Sequence, residues 1–247
     1  EQTNTDLTNG FASDGFIVGD NVTGTGATNL NNNTYASWNW KAGGSASSNS
    51  DGSITSSVSA NVDAGFSIVS WSGNTTAGAT VGHGLGVAPD VIIFKRRDGA
   101  TDWHMYHSSI PNGNTYLAYL NTTAVPASST AFLNSTYPSS SVITLGTSAG
   151  TNGSSMIAYC FADVEGYSKT GLYTGNGITN GTFVYTGFRP AFILVKGIDV
   201  GYSWTMLDST RDSYNVANKI LYPSFSANEN TGTPRWDFLS NGFKARD

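Results

Sequence analysis

One stretch of the sequence recurs further along the chain, and this internal repeat constrains the fold more than any other feature. Ala88–Lys95 (APDVIIFK) lies over Arg189–Lys196 (RPAFILVK) at an offset of 101, and the same offset places Trp103 on Trp204. Because residue types and spacing match together, the repeat predicts one structural unit used twice in tandem. Trp103 and Trp204 are then expected to be core residues of that unit.

A second match links the N-terminal segment to the end of the first repeat. Thr34–Ala42 resembles Ser155–Asp163 at an offset of 121. The second repeat stops before the counterpart of Ser155–Asp163, and an incomplete sheet leaves backbone groups and an apolar face uncovered. We therefore expect residues 10–42 to complete the second repeat, in the same chain or in a neighbouring copy. The alternative is that the sequence is a slice of a longer polypeptide.

These matches predict four segments along the chain. Residues 1–42 are N-terminal strands that complete a repeat unit, 43–64 are a linker with an edge strand, 65–166 are the first repeat, and 167–247 are the second, C-terminally incomplete repeat. The linker begins with a Gly- and Ser-rich stretch that is typical of flexible chain. The join between the two repeats is much shorter, so we expect the repeats to be packed together or rigidly connected.

The fold class follows from the length of the apolar runs. They are short, they are separated by Gly, Asn, Ser and Thr clusters, and none keeps a helical period of 3.6 residues. This pattern predicts an all-β chain of tandem β-sandwich units, jelly-roll-like, each of about 100 residues, with few helices. The predicted strands are Gly65–Trp71, Val91–Lys95, Tyr116–Leu120, Ser141–Leu145, Met156–Ala162, Thr182–Tyr185 and Ala191–Lys196.

Charge and cysteine content exclude several classes of protein. The 12 Lys+Arg and 17 Asp+Glu give a net charge of −5 without a basic stripe, so neither nucleic-acid binding nor membrane insertion is expected. The 6 Trp, 12 Tyr and 12 Phe argue against disorder. Cys160 is the single cysteine, so no disulfide can form within the chain, and its apolar neighbours predict a buried thiol.

Catalytic and metal-binding motifs are scarce. Asp102, His104 and His107 are close enough in sequence to surround a metal or a nucleophile, but a polar strand edge beside Trp103 explains them more simply. Asp-Gly clusters at 97–102 and 51–53 suit hairpin turns better than calcium loops. No pair of acidic residues has the spacing of a glycosidase site. We therefore predict no catalytic residue, no cofactor and no metal.

Aromatic residues are the best binding signal in this neutral, polar chain, because sugars stack on aromatic rings and polar loops supply hydrogen bonds. The repeated tryptophans are expected in the core. Aromatic residues on loops that do not repeat are better candidates for ligand contact, and these are Tyr137, Tyr202 and Tyr214.

Six short sequence motifs together resemble those of a known family. They lie at Asn33–Gly44, Gly82–Pro89, Tyr159–Lys169, Tyr173–Gly177, Tyr185–Ala191 and Phe238–Lys244. The chain resembles an uncharacterised repeat domain of virion and tail-fibre proteins of marine tailed bacteriophages, which often accompanies concanavalin A-like lectin domains. This resemblance covers nearly the whole chain, and it implies a place on the virion surface and attachment to host polysaccharide. It supplies no catalytic or binding residue.

The expected function is that of a non-enzymatic virion structural protein, in a tail fibre or surface appendage, with an adhesive or glycan-binding role. Two alternatives stay open: a polysaccharide-degrading tail enzyme, and a purely structural decorating or filament subunit. Expected partners are further copies of the chain in a homo-oligomer, other virion proteins and host surface polysaccharide. A neutral polar β surface repels its own copies little, which favours self-association.

Overall fold

The computed structural model describes residues 8–19, 28–233 and 235–246, and it is nearly all β. Several antiparallel sheets form a β-sandwich-like arrangement, which confirms the predicted all-β class. The two helices, α1 (Thr130–Leu133) and α2 (Ala149–Asn152), are single turns. No helix within the described ranges is long and apolar enough to span a bilayer. The chain divides into two compact units, Glu1–Trp40 and Lys41–Asp247.

The first unit contains a hairpin of strands β1 (Thr8–Ala12) and β2 (Gly15–Val18). Phe11 lies opposite Phe16 across the hairpin and is 91% exposed. Residues 20–27 lie outside the described part of the chain, and residues 33–43 form no strand. The completion of the second repeat by residues 10–42 stays a prediction.

The second unit begins with an eight-stranded antiparallel sheet in the order β10-β9-β8-β7-β12-β5-β4-β3. Its strands are β3 (Ser47–Asn49), β4 (Ser56–Asn61), β5 (Phe66–Trp71), β7 (Val91–Arg96), β8 (His104–His107), β9 (Tyr116–Tyr119), β10 (Ala127–Ser128) and β12 (Met156–Phe161). A separate two-stranded sheet pairs β6 (Thr80–Gly82) with β11 (Val142–Thr144).

Residues 43–64 were expected to be a linker with one edge strand. In the structure they contribute two strands to the large sheet: β3 lies at its edge, and β4 lies one position further in, between β3 and β5. Alternating small and apolar residues give β4 one face toward the core, where Val58 is buried.

The first core lies between the large sheet and the pair β6–β11. Ile92 and Phe94 of β7 point into it and pack with Val81 and Ile143 of the small sheet. Cys160 is fully buried there, as predicted, and burial raises the pKa of its thiol to about 12. Burying apolar side chains of this size stabilises the fold by about 2 kcal/mol each.

The second repeat folds into two smaller sheets. One has the order β13-β17-β16 and the other pairs β14 with β15. Their strands are β13 (Phe183–Tyr185), β14 (Phe192–Val195), β15 (Thr205–Asp208), β16 (Arg235–Leu239) and β17 (Gly242–Arg246). A second core joins the two sheets through Ile193, Leu207, Trp236 and Phe238.

The internal repeat is realised as two copies of one hairpin. In the first copy, Ile92 lies opposite Tyr106, and in the second, Ile193 lies opposite Leu207, so the register is the same after a shift of 101 residues. One flanking hydrogen bond is shared as well. Ser108 N donates to Asp90 O at 2.7 Å, and its counterpart Ser209 N donates to Ala191 O at 2.9 Å.

The two hairpins pack on each other through a third apolar cluster. Val91 and Met105 from the first copy are buried against Trp204 of the second, and Leu194 joins them. The Trp204 indole donates a hydrogen bond to Tyr119 O at 2.8 Å. Trp204 is a core residue as predicted, whereas its counterpart Trp103 is half-buried, with the Lys95 ammonium 5.8 Å from its ring centroid.

Candidate functional site

Asp102, His104 and His107, which were considered as a metal or nucleophile site and set aside, do not form one site. Side chains of β8 alternate between the two faces of the sheet, so His104 points toward the first core while His107 lies on the opposite face. His104 stacks on Phe132 with ring centroids 6.4 Å apart, and its Nδ1 lies 2.9 Å from Asp102 O. The predicted polar strand edge is therefore wrong for His104, which is buried because Phe132 and Tyr119 pack against its ring.

Burial disfavours the charged form of all three histidines. Loss of solvation lowers the pKa of His83, His104 and His107. His83 is fully buried, its Nδ1 accepts from Leu85 N at 3.3 Å, and its Nε2 lies 3.2 Å from Ser139 O. Within residues 8–19, 28–233 and 235–246, no group of three or more His, Cys, Asp or Glu side chains could hold a metal ion.

A polar network fixes the join between the two repeats. Asp90 accepts Ser108 Oγ and the backbone N–H of Asp163, each at 2.9 Å. Asp163 in turn accepts Thr170 N at 2.7 Å, Thr170 Oγ1 at 3.0 Å and Lys169 Nζ at 2.7 Å. Since these carboxylates accept hydrogen bonds from protein donors, we interpret the network as structural.

The three predicted contact residues lie on three different loops. Tyr137 follows α1, Tyr202 lies at the tip of the β14–β15 hairpin, and Tyr214 follows the other end of that hairpin. They are 51%, 72% and 86% exposed. Tyr202 and Tyr214 are thus separated by the length of the hairpin, roughly 13 Å for four residues.

The three-stranded sheet β13–β17–β16 combines aromatic and charged side chains on one face. Val184, Phe243 and Trp236 point into the second core, so the residues next to them in each strand lie on the opposite face. The aromatic and basic members of that face form what we call the aromatic–basic face: Phe183, Tyr185 and Arg235 are exposed, and Lys244 and Arg246 are half-buried.

Strand register determines which members of this face are neighbours. Phe183 lies opposite Lys244, which lies opposite Asp237 on the next strand. Tyr185 lies opposite Gly242. A Cβ at Gly242 would come within 3.0 Å of the Phe183 ring, so this glycine leaves the space that the ring occupies.

The exposed charge of the aromatic–basic face is positive. Asp237 is 4% exposed, and its Oδ2 accepts both Arg246 Nε at 2.6 Å and Arg246 Nη2 at 2.5 Å. Lys244 Nζ contacts Asn180 Oδ1. Arg235 is exposed. The single acidic residue of the face is therefore compensated by Arg246, and Arg235 and Lys244 add positive charge.

Of the three strands that carry this face, the sequence pattern predicts only β13. The segment Thr182–Tyr185 was predicted as a strand, and its alternation places Phe183 and Tyr185 on one side. Strands β16 and β17 were not predicted, although Asn241-Gly242 is the dipeptide most typical of a tight hairpin turn. The Asn241-Gly242 dipeptide was therefore the sequence feature from which the hairpin of β16 and β17 could have been predicted.

Comparison with known proteins gives a family without an assigned activity. One family model matches residues 1–247, and its description is Domain of unknown function (DUF7483). No curated protein matches the chain. No solved structure matches it either.

Proposed function

Since the chain belongs to the DUF7483 family, whose function is unknown, we propose its role from its own residues. It is a non-enzymatic structural module of a bacteriophage virion, in a tail fibre or surface appendage, and it binds glycans of the host surface. The proposed place in a virion is supported by the sequence motifs that resemble repeats of phage tail-fibre proteins. The expected location is the virion surface, and the expected partners are further copies and other virion proteins.

The structural role is supported by the way the two repeats are joined. The related hairpins share the cluster around Trp204, and Asp163 fixes the short connection at Lys169 and Thr170. Two independent contacts resist bending between the repeats, and a module that transmits force along an appendage needs such stiffness. The histidines also support a non-enzymatic role, since His83 and His104 are buried and their ring nitrogens contact backbone groups, which leaves them poorly placed to exchange a proton with a substrate.

The glycan-binding role is carried by one observation: large aromatic rings are held exposed on a surface with few charges. Tyr214, Tyr202 and Tyr185 are 86%, 72% and 67% exposed. Exposed aromatic rings surrounded by hydroxyl and amide groups are typical of carbohydrate contact surfaces.

A glycan array probed with the purified chain, together with a host-adsorption competition assay, tests this proposal. We expect binding to envelope polysaccharide without its cleavage. Release of reducing sugar would instead identify a polysaccharide-degrading enzyme. Absence of binding together with self-assembly into filaments would identify a purely structural subunit, and light scattering coupled to size exclusion measures the expected homo-oligomer in the same samples.

A further inference from the structure

The aromatic–basic face joins ring stacking and positive charge within one small sheet. Tyr185 is 67% exposed and Phe183 is 45% exposed, so both rings are accessible to a ligand. Lys244 is the cross-strand neighbour of Phe183, so the two side chains leave the same face of the sheet side by side, and Lys244 Nζ contacts Asn180 Oδ1. Neighbouring strands lie about 5 Å apart, so a single ligand ring can contact both.

Charge complementarity indicates the kind of ligand. The whole chain carries a net charge of −5, yet this face holds Arg235, Lys244 and Arg246 against one buried carboxylate, Asp237. A neutral sugar would gain little from three basic groups. An acidic sugar would gain from ring stacking and from charge-assisted hydrogen bonds at once.

We propose that the aromatic–basic face binds an acidic polysaccharide: a pyranose ring stacks on Tyr185, and carboxylate or sulfate groups of the polymer pair with Arg235 and Lys244. The inference rests on the proposed glycan-binding function and adds its site and ligand class. A nucleic acid is the less favoured ligand, because three basic groups on one small face do not form the extended basic groove that follows a phosphate backbone.

Arg246 is already paired within the face. Its guanidinium donates to Asp237 Oδ2 through Nε and Nη2, so it is less available to a ligand. Arg235 lies opposite Arg246 in the register and is exposed, so it is the more accessible guanidinium. Tyr185, Arg235 and Lys244 are therefore the residues to test.

The experiment compares binding of a uronic-acid hexamer and of a neutral glucose hexamer by calorimetry at two salt concentrations. The unchanged chain is expected to favour the uronic-acid hexamer, with weaker binding at the higher salt concentration because charge pairing is screened. Tyr185→Ala should lower affinity about tenfold, and the double variant Arg235→Gln/Lys244→Gln should lower it by a similar factor while removing the salt dependence. Tyr167→Ala changes a 59% exposed ring outside this face and is the matched control, expected to bind like the unchanged chain.

Each other outcome has a defined meaning. Binding of the uronic-acid hexamer that survives both face variants would overturn the assigned site and leave the proposed function in place. Equal affinity for the two hexamers would overturn the acidic ligand class. Tighter binding of a single-stranded oligonucleotide of equal charge would identify nucleic acid, not polysaccharide, as the ligand.

If the unchanged chain binds no glycan on the array, the proposed function fails and this inference fails with it. Circular dichroism of each variant verifies the fold.

Discussion

At the scale of single residues, the histidines make stability depend on pH. Burial lowers the pKa of His83, His104 and His107 in the folded chain, while the unfolded chain has ordinary imidazoles with a pKa near 6.5. Above that pH the rings are neutral in both states. As the pH falls through it, the unfolded chain takes up protons that the folded chain excludes, so the free energy of unfolding decreases.

We therefore expect the urea midpoint of unfolding to fall between about pH 7 and pH 5, before most carboxylates titrate. His83→Gln should reduce this pH dependence, since glutamine can donate and accept hydrogen bonds without titrating in this range. A midpoint that stays constant or rises on acidification would contradict the lowered pKa of these rings.

Gly150 provides a second prediction at this scale. A Cβ at this position would lie 2.0 Å from Cε1 of the His104 ring, which is itself held by Phe132 and Tyr119. Gly150→Ala should cost about 1–3 kcal/mol of stability in chemical denaturation. Gly171→Ala is the matched control, because nothing lies within 4 Å of its added Cβ, and it should change stability by less than about 0.5 kcal/mol. Equal effects of the two substitutions would contradict close packing at Gly150.

At the scale of elements, every strand that the sequence predicts is present, whereas the order of the strands within the sheets is not predicted. Each predicted strand overlaps an observed one, because short apolar runs bounded by turn residues seldom fit another element. The matching register of β7–β8 and β14–β15 follows from the repeat offset of 101. The position of β4 inside the large sheet could not be predicted, since sheet order depends on contacts between residues far apart in sequence.

The aromatic–basic face was beyond sequence reasoning for the same reason. Phe183 and Lys244 are separated by most of the second repeat and become neighbours only through the register of β13 with β17. Tyr137, Tyr202 and Tyr214 could be identified as exposed, but their separation on three loops depends on the fold.

Trp103 and Trp204 give a matched comparison between repeat elements. Trp204 is 4% exposed in the cluster between the hairpins, whereas Trp103 is half-buried. Trp204→Ala should cost about 3–5 kcal/mol, because it removes apolar contacts and leaves Tyr119 O without its indole donor. Trp103→Ala should cost clearly less. Denaturation midpoints of both variants measure the difference, and equal costs would show that the repeat positions are energetically equivalent.

At the scale of the whole molecule, the shared cluster couples the stability of the two repeats. Val91 and Met105 would be exposed if the second repeat unfolded alone. We expect β12 of the first repeat and β16 of the second to lose protection from hydrogen exchange at the same urea concentration. Loss of protection in β16 at a much lower concentration would show that the repeats unfold independently.

The packing of the two hairpins also limits how many repeats one such contact can join. Ile93 and Leu194 are equivalent positions, and both belong to the cluster between the hairpins, so each copy contacts the other through the same face. Contacts between like faces close on themselves, whereas contacts between unlike faces can propagate. A longer array built from this repeat would therefore need a second kind of contact, different from the cluster around Trp204, to join one pair of hairpins to the next.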